Sequence, residues 1–208
     1  MRCFLTTALV LLLVLPAPAT ELKSVLDQLE QAAATTRTLS SEFTQEKHLS
    51  IFSEKLLSKG HFAYQNPDRL RWELRTPFAS GFVLRGDVGE RWNGLSKEKG
   101  VFSVQQDPVM GMIAQQLLAW ARVDLDWLQK RYRMELLATS PIHLRLTPQD
   151  KGEASFIKYL EITFAVNLHY ISTVLLQEQG GDKTLLRFER VALNNALAED
   201  VFKAPEFE

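Results

Sequence analysis

The chain is expected to be mainly β with added helices (α+β): an incomplete, strongly curved antiparallel β-barrel, an N-terminal helix and a central helical lid over an apolar cavity. Three observations predict this. After Pro67-Asp68 the alternation is strict. Leu70, Trp72 and Leu74 point one way, and Arg69, Arg71, Glu73 and Arg75 the other. That is the pattern of a half-buried antiparallel strand. Second, a block of strand patterns is followed by a helical stretch and then by another block of strands. Third, hairpin-length links join many of those strands, which makes one curved sheet with helices plugging its open side. A space between sheet and lid is where an apolar ligand would bind.

The chain opens Met1-Arg2, continues with an apolar run from Phe4 to Leu15, and then reads Pro16-Ala17-Pro18-Ala19. The run is short for a bilayer span. A positive start, an apolar centre and a small-residue end predict a cleavable signal peptide over 1–19 rather than a membrane anchor. Residues 20–208 then suit one domain with a full core. The single cysteine, Cys3, lies ahead of the apolar run, so the mature chain carries no disulfide, thiolate metal site or cysteine nucleophile.

Glu21 to about Arg37 reads as a helix, because Leu22, Val25, Leu26 and Leu29 recur at i, i+3, i+4 and i+7. From Leu39 the period moves towards two. Strands are expected near 39–50, 55–65, 69–75, 80–86, 89–93 and 100–105. Asn66-Pro67-Asp68, Gly86-Asp87 and Asn93-Gly94 supply turns between them. Asp107-Pro108 starts a helix, with Asp as cap and Pro in the first helical position. It carries Val109, Met110, Met112, Ile113, Leu117, Leu118 and Trp120, more than one apolar stripe. Such a helix is covered on two sides or faces a lipid-like ligand. Asp124 caps a second short helix. Strands resume near 131–138, 142–148, 156–165, 169–178 and 183–191, with Gly180-Gly181-Asp182 as a hairpin turn. A short turn at 198–202 precedes the tail.

Composition excludes several functions. Lys and Arg number 24 against 25 Asp and Glu, a formal net charge of −1, and losing Arg2 with the leader makes the balance more acidic. No basic excess is available for a nucleic acid backbone. His48, His61, His143 and His169 show no metal-ligand spacing. Gly-x-Ser-x-Gly, P-loop and His-Glu-x-x-His patterns are missing. No enzyme, metal or cofactor is expected.

Candidate lining residues follow from the alternation. From the sheet they are Phe43, Phe62, Tyr64, Leu70, Trp72, Phe82 and Leu84. From the lid they are Met110, Met112, Ile113, Leu117 and Trp120; flexible thioethers suit irregular apolar ligands. Each of these is equally at home as ordinary core. The row Arg69, Arg71 and Arg75 is either a solvated face or a surface for an acidic partner or lipid headgroups.

The segment Leu39-Ser40-Ser41-Glu42-Phe43-Thr44-Gln45-Glu46-Lys47 resembles the Phe-x-Gln segment of periplasmic outer-membrane lipoprotein carrier proteins, the LolA family. The likeness continues through Gly60-His61-Phe62, Asn66-Pro67, Leu70-Arg71-Trp72 and Pro77, and resumes at 182–188 and 202–205. The resemblance implies an incomplete barrel closed by a helical lid. It also implies a monomeric periplasmic carrier that shields lipoprotein acyl chains, takes cargo from an inner-membrane ABC transporter and passes it to an outer-membrane acceptor. In well-known members an arginine before the turn proline helps hold the lid closed; Asn66 stands there in this chain. Arg69 and Arg71 lie near, but alternation turns both away from Trp72. Well-known members also carry an extra C-terminal segment, whereas this sequence stops at Glu208. The 43–49 and 77–80 stretches look more like paralogues found beside envelope lipid and glycolipid export systems. A non-carrier scaffold is the other class these features allow.

Overall fold

Eleven strands form one sheet whose neighbours are all antiparallel. The computed structural model describes residues 18–51 and 54–207. The expected leader thus lies outside the described residues, apart from Pro18 and Ala19 at the start of the first helix. In chain order the elements are α1 (Pro18–Ala33), β1 (Thr38–His48), β2 (Lys55–Gln65), β3 (Arg69–Thr76), β4 (Ser80–Arg85), β5 (Val88–Asn93) and β6 (Glu98–Ser103). Then come α2 (Pro108–Arg122), α3 (Leu125–Arg131), β7 (Tyr132–Thr139), β8 (Ile142–Pro148), α4 (Lys151–Phe156), β9 (Ile157–Phe164), β10 (Ile171–Glu178), β11 (Lys183–Leu193) and a 3-10 turn at Glu199–Phe202. The strand order is β6-β5-β4-β3-β2-β1-β11-β10-β9-β8-β7.

The first and last strands of the chain pair in the middle of that sheet, from Leu39↔Leu193 to His48↔Lys183. The two edges are therefore β6 and β7, which follow one another in sequence. The link between them carries α2 and α3, so these helices occupy the open side of the curve.

Concave positions follow the alternation. Phe43 on β1, Phe62 and Tyr64 on β2, Leu70 on β3 and Leu84 on β4 are buried. They join Leu144, Leu146, Leu160, Ile162 and Val174 from the other half in one apolar cluster. α1 adds Val25, Leu26 and Leu29 to it. The helix ends at Ala33, four residues before the expected Arg37. The reason is tertiary: Asn194, past the end of β11, accepts a hydrogen bond from the Arg37 amide at 2.7 Å and donates to the Thr35 carbonyl at 3.1 Å. That fixes the turn that leads from α1 into β1. α4 is an element the periodicity did not reveal. Its Asp150 cap accepts from the Glu153 amide at 2.9 Å, and the Asp-x-x-Glu spacing was the available signal.

The convex face is covered over β2 to β5. Ala63, Val83 and Trp92 alternate outward yet are buried. The chain after β11 lies across them. Phe202 is 0% exposed, and Arg69 sits 4.7 Å from its ring centre while gripping Glu199 at 2.8 and 2.5 Å. Arg71 donates to the carbonyls of Val201 at 3.0 Å and Lys203 at 2.8 Å. The same guanidinium bonds Glu73 and lies over Trp92. Phe202→Ala should cost about 3–5 kcal/mol of stability, the range for a fully buried aromatic. Denaturant unfolding measures it; a loss below about 1 kcal/mol would show the segment to be loosely attached.

Two titrating groups lie beside this strap. Burial, with Arg75 nearby, pushes His61 below its ordinary value of 6.5. Burial alone would raise Glu73, but Arg71 and Arg75 overcome it and hold its carboxyl below 4.5. Both groups have lowered values in the folded state. Their stabilisation is present above the unfolded values and is lost as pH falls through the folded ones. Acidification should therefore weaken the fold in two stages, below about 6.5 and again below about 4.5. His61→Gln should remove the first stage in a pH series of melting curves. An unchanged first stage would assign it to another group.

Candidate functional site

The concave aromatic cluster is built on facing strands. Phe43 and Trp72 stack with ring centres 4.1 Å apart and planes inclined by 22°. Phe62 meets Trp72 edge-on at 6.1 Å, and Phe188 of β11 lies 5.9 Å from Phe62 and 6.1 Å from Phe43. Gly60 makes room for the stack: a Cβ there would fall 2.2 Å from the Phe43 ring and 2.3 Å from the Glu73 carbonyl. Further along, Phe82 and Phe102 pack at 5.8 Å. Burial pushes the Tyr64 phenol up to about 12, so it remains neutral.

α2 lies over this cluster. Asp107 caps it, accepting from the Met110 amide at 3.0 Å, and Arg91 of β5 pairs with the same carboxylate at 3.2 Å. Gly111 allows the helix to sit directly on the end of β6, since a Cβ would meet the Val104 carbonyl at 2.3 Å. Ala114, Leu117, Leu118 and Ala121 form the buried face. Helix geometry sorts the remaining candidates. Met110 packs half-buried on the core and Trp120 lines its inner wall. Met112 follows Met110 by about 200° of rotation and is 44% exposed; Ile113 is 38% exposed. The structure thus corrects their placement: with Val109 they form an apolar stripe facing solvent, not the sheet.

Between lid and sheet lies a cavity of about 20 Å³, room for about one water-sized sphere. Its walls are Leu39, Phe62, Leu117, Trp120, Tyr170, Phe188 and their neighbours. Of these, Leu39, Tyr170, Phe188 and Val191 escaped the sequence reading, though Leu39 alternates inward with Phe43 and Phe188 faces Phe43 across the ladder. A much larger concavity, about 1050 Å³, runs between α1, α3 and β7. Lys23, Asp27, Glu30, Asp126 and Arg133 rim it. Acyl chains there would stay in contact with water and charge, so the small apolar cavity under the lid is the candidate site.

The lid is tied at its middle and its end. Gln116 of α2 contacts the Tyr132 hydroxyl at 2.7 Å, and Tyr132 also bonds Glu153 of α4. A hydroxyl has one proton to donate. Tyr132 gives it to the Glu153 carboxylate and accepts from the Gln116 amide, the orientation that also satisfies Nε2. Arg131 completes the chain on Glu153 at 2.9 Å. At the C-terminal end, Arg122 reaches the Pro67 carbonyl at 3.4 Å. The resemblance implied an arginine on the strand turn that holds the lid. Here Asn66 stands on the turn and the arginine comes from the lid. Arg69 and Arg71 serve the convex strap, and Arg75 alone of the three stays largely exposed, beside Glu73.

A half-barrel with a continuous apolar concave face and a helical plug over it defines a class of small sheet proteins with a lid-covered core. The model of the outer membrane lipoprotein carrier protein LolA family matches residues 34–205, and the chain belongs to that family. It is 28% identical over 163 residues to an outer-membrane lipoprotein carrier protein of Halorhodospira halophila, covering 78% of this chain and 71% of that one. It is 22% identical over 192 residues to the protein of that name from Pseudoalteromonas translucida, covering 90% and 84%. Among solved structures, an uncharacterized conserved protein from Thermus thermophilus has a TM-score of 0.55 at 10% identity, covering 89% of this chain and 94% of that one. The Pseudomonas aeruginosa MucA/MucB complex structure gives 0.53 at 17% identity, covering 89% and 61%. These two likenesses show the fold.

Tyr132→Phe should release the middle of the lid, leaving Gln116 without its partner and Glu153 short of one. Amide exchange across α2 should speed up, with a stability loss of about 1–3 kcal/mol. Unchanged α2 exchange would show that apolar packing alone holds the helix.

Proposed function

We propose that this protein is a periplasmic carrier that shields the acyl chains of lipoproteins during transfer from the inner to the outer membrane. A cleaved leader over 1–19 delivers a single domain, 20–208, which works as a monomer. An inner-membrane ABC transporter loads it and an outer-membrane acceptor unloads it. The protein carries out no chemical step. The candidate lining residues of the sheet, with Met110, Leu117 and Trp120 of the lid, meet the chains.

The observation that carries this reading is the division of one apolar core between a sheet and a separable helix, with a residual cavity of only about 20 Å³. Acyl chains cannot occupy that space unless α2 moves. Three chains of fatty-acid length, fully buried at about 0.8 kcal/mol per CH₂, would release roughly 35 kcal/mol. That exceeds the practical ceiling of about 20 kcal/mol for noncovalent binding. Lid opening offsets part of the gain, which keeps the cargo releasable. The lid equilibrium responds only to the ligand's preference for the open state.

Native mass spectrometry with lipid extraction, on protein purified gently from its own periplasm, tests the cargo. An acylated peptide or lipoprotein supports the proposal. A glycolipid or free lipid would make it a paralogue serving lipid export, and no lipid together with no uptake of an apolar dye would leave a scaffold.

The closed lid makes a kinetic prediction. Leu117→Ala weakens the packing of α2 on the sheet by about 2–4 kcal/mol. The open population should rise, so dye association should accelerate while the melting temperature falls. A slower or unchanged association rate would show that α2 does not gate access.

A further inference from the structure

The C-terminal strap covers the convex face over β2 to β5. Over β1, β11, β10 and β9 that face stays open, and a pocket of about 400 Å³ lies in it. The ladders fix its walls. One rung crosses five strands as Lys55, His48, Lys183, Gln177 and Tyr159. The next convex rung carries Glu46, Leu185 and Leu175, and Arg187 follows Leu185 one convex position along β11. All of these residues line the pocket. Neighbouring strands lie about 4.8 Å apart, so the charged side chains are gathered at short range.

Three cations, Lys55, Lys183 and Arg187, meet one carboxylate, Glu46, which leaves a surplus of two positive charges. Glu46 pairs with Arg187, and with Lys55 at 3.3 Å. Arg187 and Lys55 hold its carboxyl below the usual 4.5. Arg187 spends only Nη1 on it. Lys183 forms no ion pair among the described residues. The nearby Asp182 carboxylate is taken by the Ser50 amide at 2.7 Å and the Ser50 hydroxyl at 2.8 Å. His48 sits between the two lysines with a buried Nδ1 that has no partner among the described residues. Gathered like charges repel one another, and a bound anion removes that repulsion.

The surplus sets the ligand's charge. A carboxylate brings one negative charge; a phosphate monoester brings about −1.5 to −2 at pH 7 and three acceptor oxygens. A guanidinium with a free edge and a mobile ammonium suit those oxygens. Leu175 and Leu185, both half-buried, add an apolar floor beside the charges. Tyr159, its ring under Arg145 at 4.7 Å, closes the far side.

We propose that this pocket binds a phosphate monoester, with Arg187 and Lys183 on its oxygens, Lys55 and His48 at the second side, and Leu175 and Leu185 under its carbon body. The site lies on the opposite face of the sheet from the lid, so it stands independently of the carrier reading. It is also at the end of the β1–β2 hairpin, where Ile51, Leu56 and Leu57 are exposed. A soluble phosphate ester and the phosphate of a lipid headgroup can both reach it there.

Hexyl phosphate titrated into the full mature protein, followed by amide signals in NMR, tests the pocket. Signals of 46–48 and 183–187 should move, while those of α2 stay in place and hexanol moves none of them. Lys183→Gln and Arg187→Gln should each weaken binding by about threefold to fivefold. Lys23→Gln, on α1, should leave it unchanged. Salt of about 1 M should weaken binding to the unsubstituted protein, because it shortens the screening length to about 3 Å; this gives a second reading if a variant folds poorly. Flotation with vesicles of phosphatidylcholine, alone or mixed with phosphatidic acid, separates the sources. Capture by the mixed vesicles alone, lost in Lys183→Gln, identifies a lipid headgroup; hexyl phosphate binding without capture identifies a soluble ester. Absence of shifts at these positions, equal shifts with hexanol, or an affinity indifferent to salt overturns the proposal. Equal weakening by Lys23→Gln would reduce the effect to net charge and overturns it too.

Discussion

The pairing of β1 with β11 is the constraint on which the structure depends. It joins the two ends of the chain in the middle of the sheet, through Phe43↔Phe188 and the rungs on either side. Once that ladder forms, β6 and β7 are the free edges, and they are neighbours in sequence. Their connection has to cross the open side of the curve. A helical lid over the concave face is thus a consequence of the topology, and the same connection that spans the gap buries the core. Hairpins alone would leave two half-sheets with bare apolar faces.

That arrangement gives the interior two roles. Phe43, Phe62, Trp72 and Phe188 pack on one another across four strands, and Leu117, Leu118 and Ala121 of α2 complete the packing from above. Strand-to-strand contacts hold the sheet whether or not the helix is seated, because they come with backbone ladders. The helix is attached to it by side chains, at its Asp107 cap, at Gln116 and Arg122, and along its apolar face. An element held by side chains and without a backbone ladder to the sheet is easier to separate from it than one strand from the next. A sheet that persists and a plug that lifts is the mechanical requirement for a carrier of large apolar groups.

The convex surface over β2 to β5 has been given up to stability. Arg69 and Arg71 meet Glu199 and the carbonyls of Val201 and Lys203, and Phe202 is buried on the face that carries Val83 and Trp92. This strap braces β3 and β4 from behind, at the strands that carry Leu70, Trp72, Phe82 and Leu84 on their front. Packing on both faces holds these strands between the strap and the core.

Much of the fold was legible in the sequence because it is written in local periods. The alternation of Leu70, Trp72 and Leu74 with arginines, the Asp107-Pro108 and Asp124 caps, and the Gly180-Gly181-Asp182 turn each act within a few residues. Strand and helix positions, the inward set of sheet residues and the place of the lid in the chain follow from them. The resemblance to carrier proteins was legible in the same stretches. What the tertiary structure decided depends on contacts between distant residues, which no local period encodes. Asn194 ends α1 early, the C-terminal strap buries Val83 and Trp92 on a face that alternation assigns to water, and the rotation of α2 about its axis sends Met112 and Ile113 outward. The lid arginine reaches Pro67 only when the β2–β3 turn and α2 have found their places. Alternation says which way a side chain points; only closure of the sheet says what it meets there.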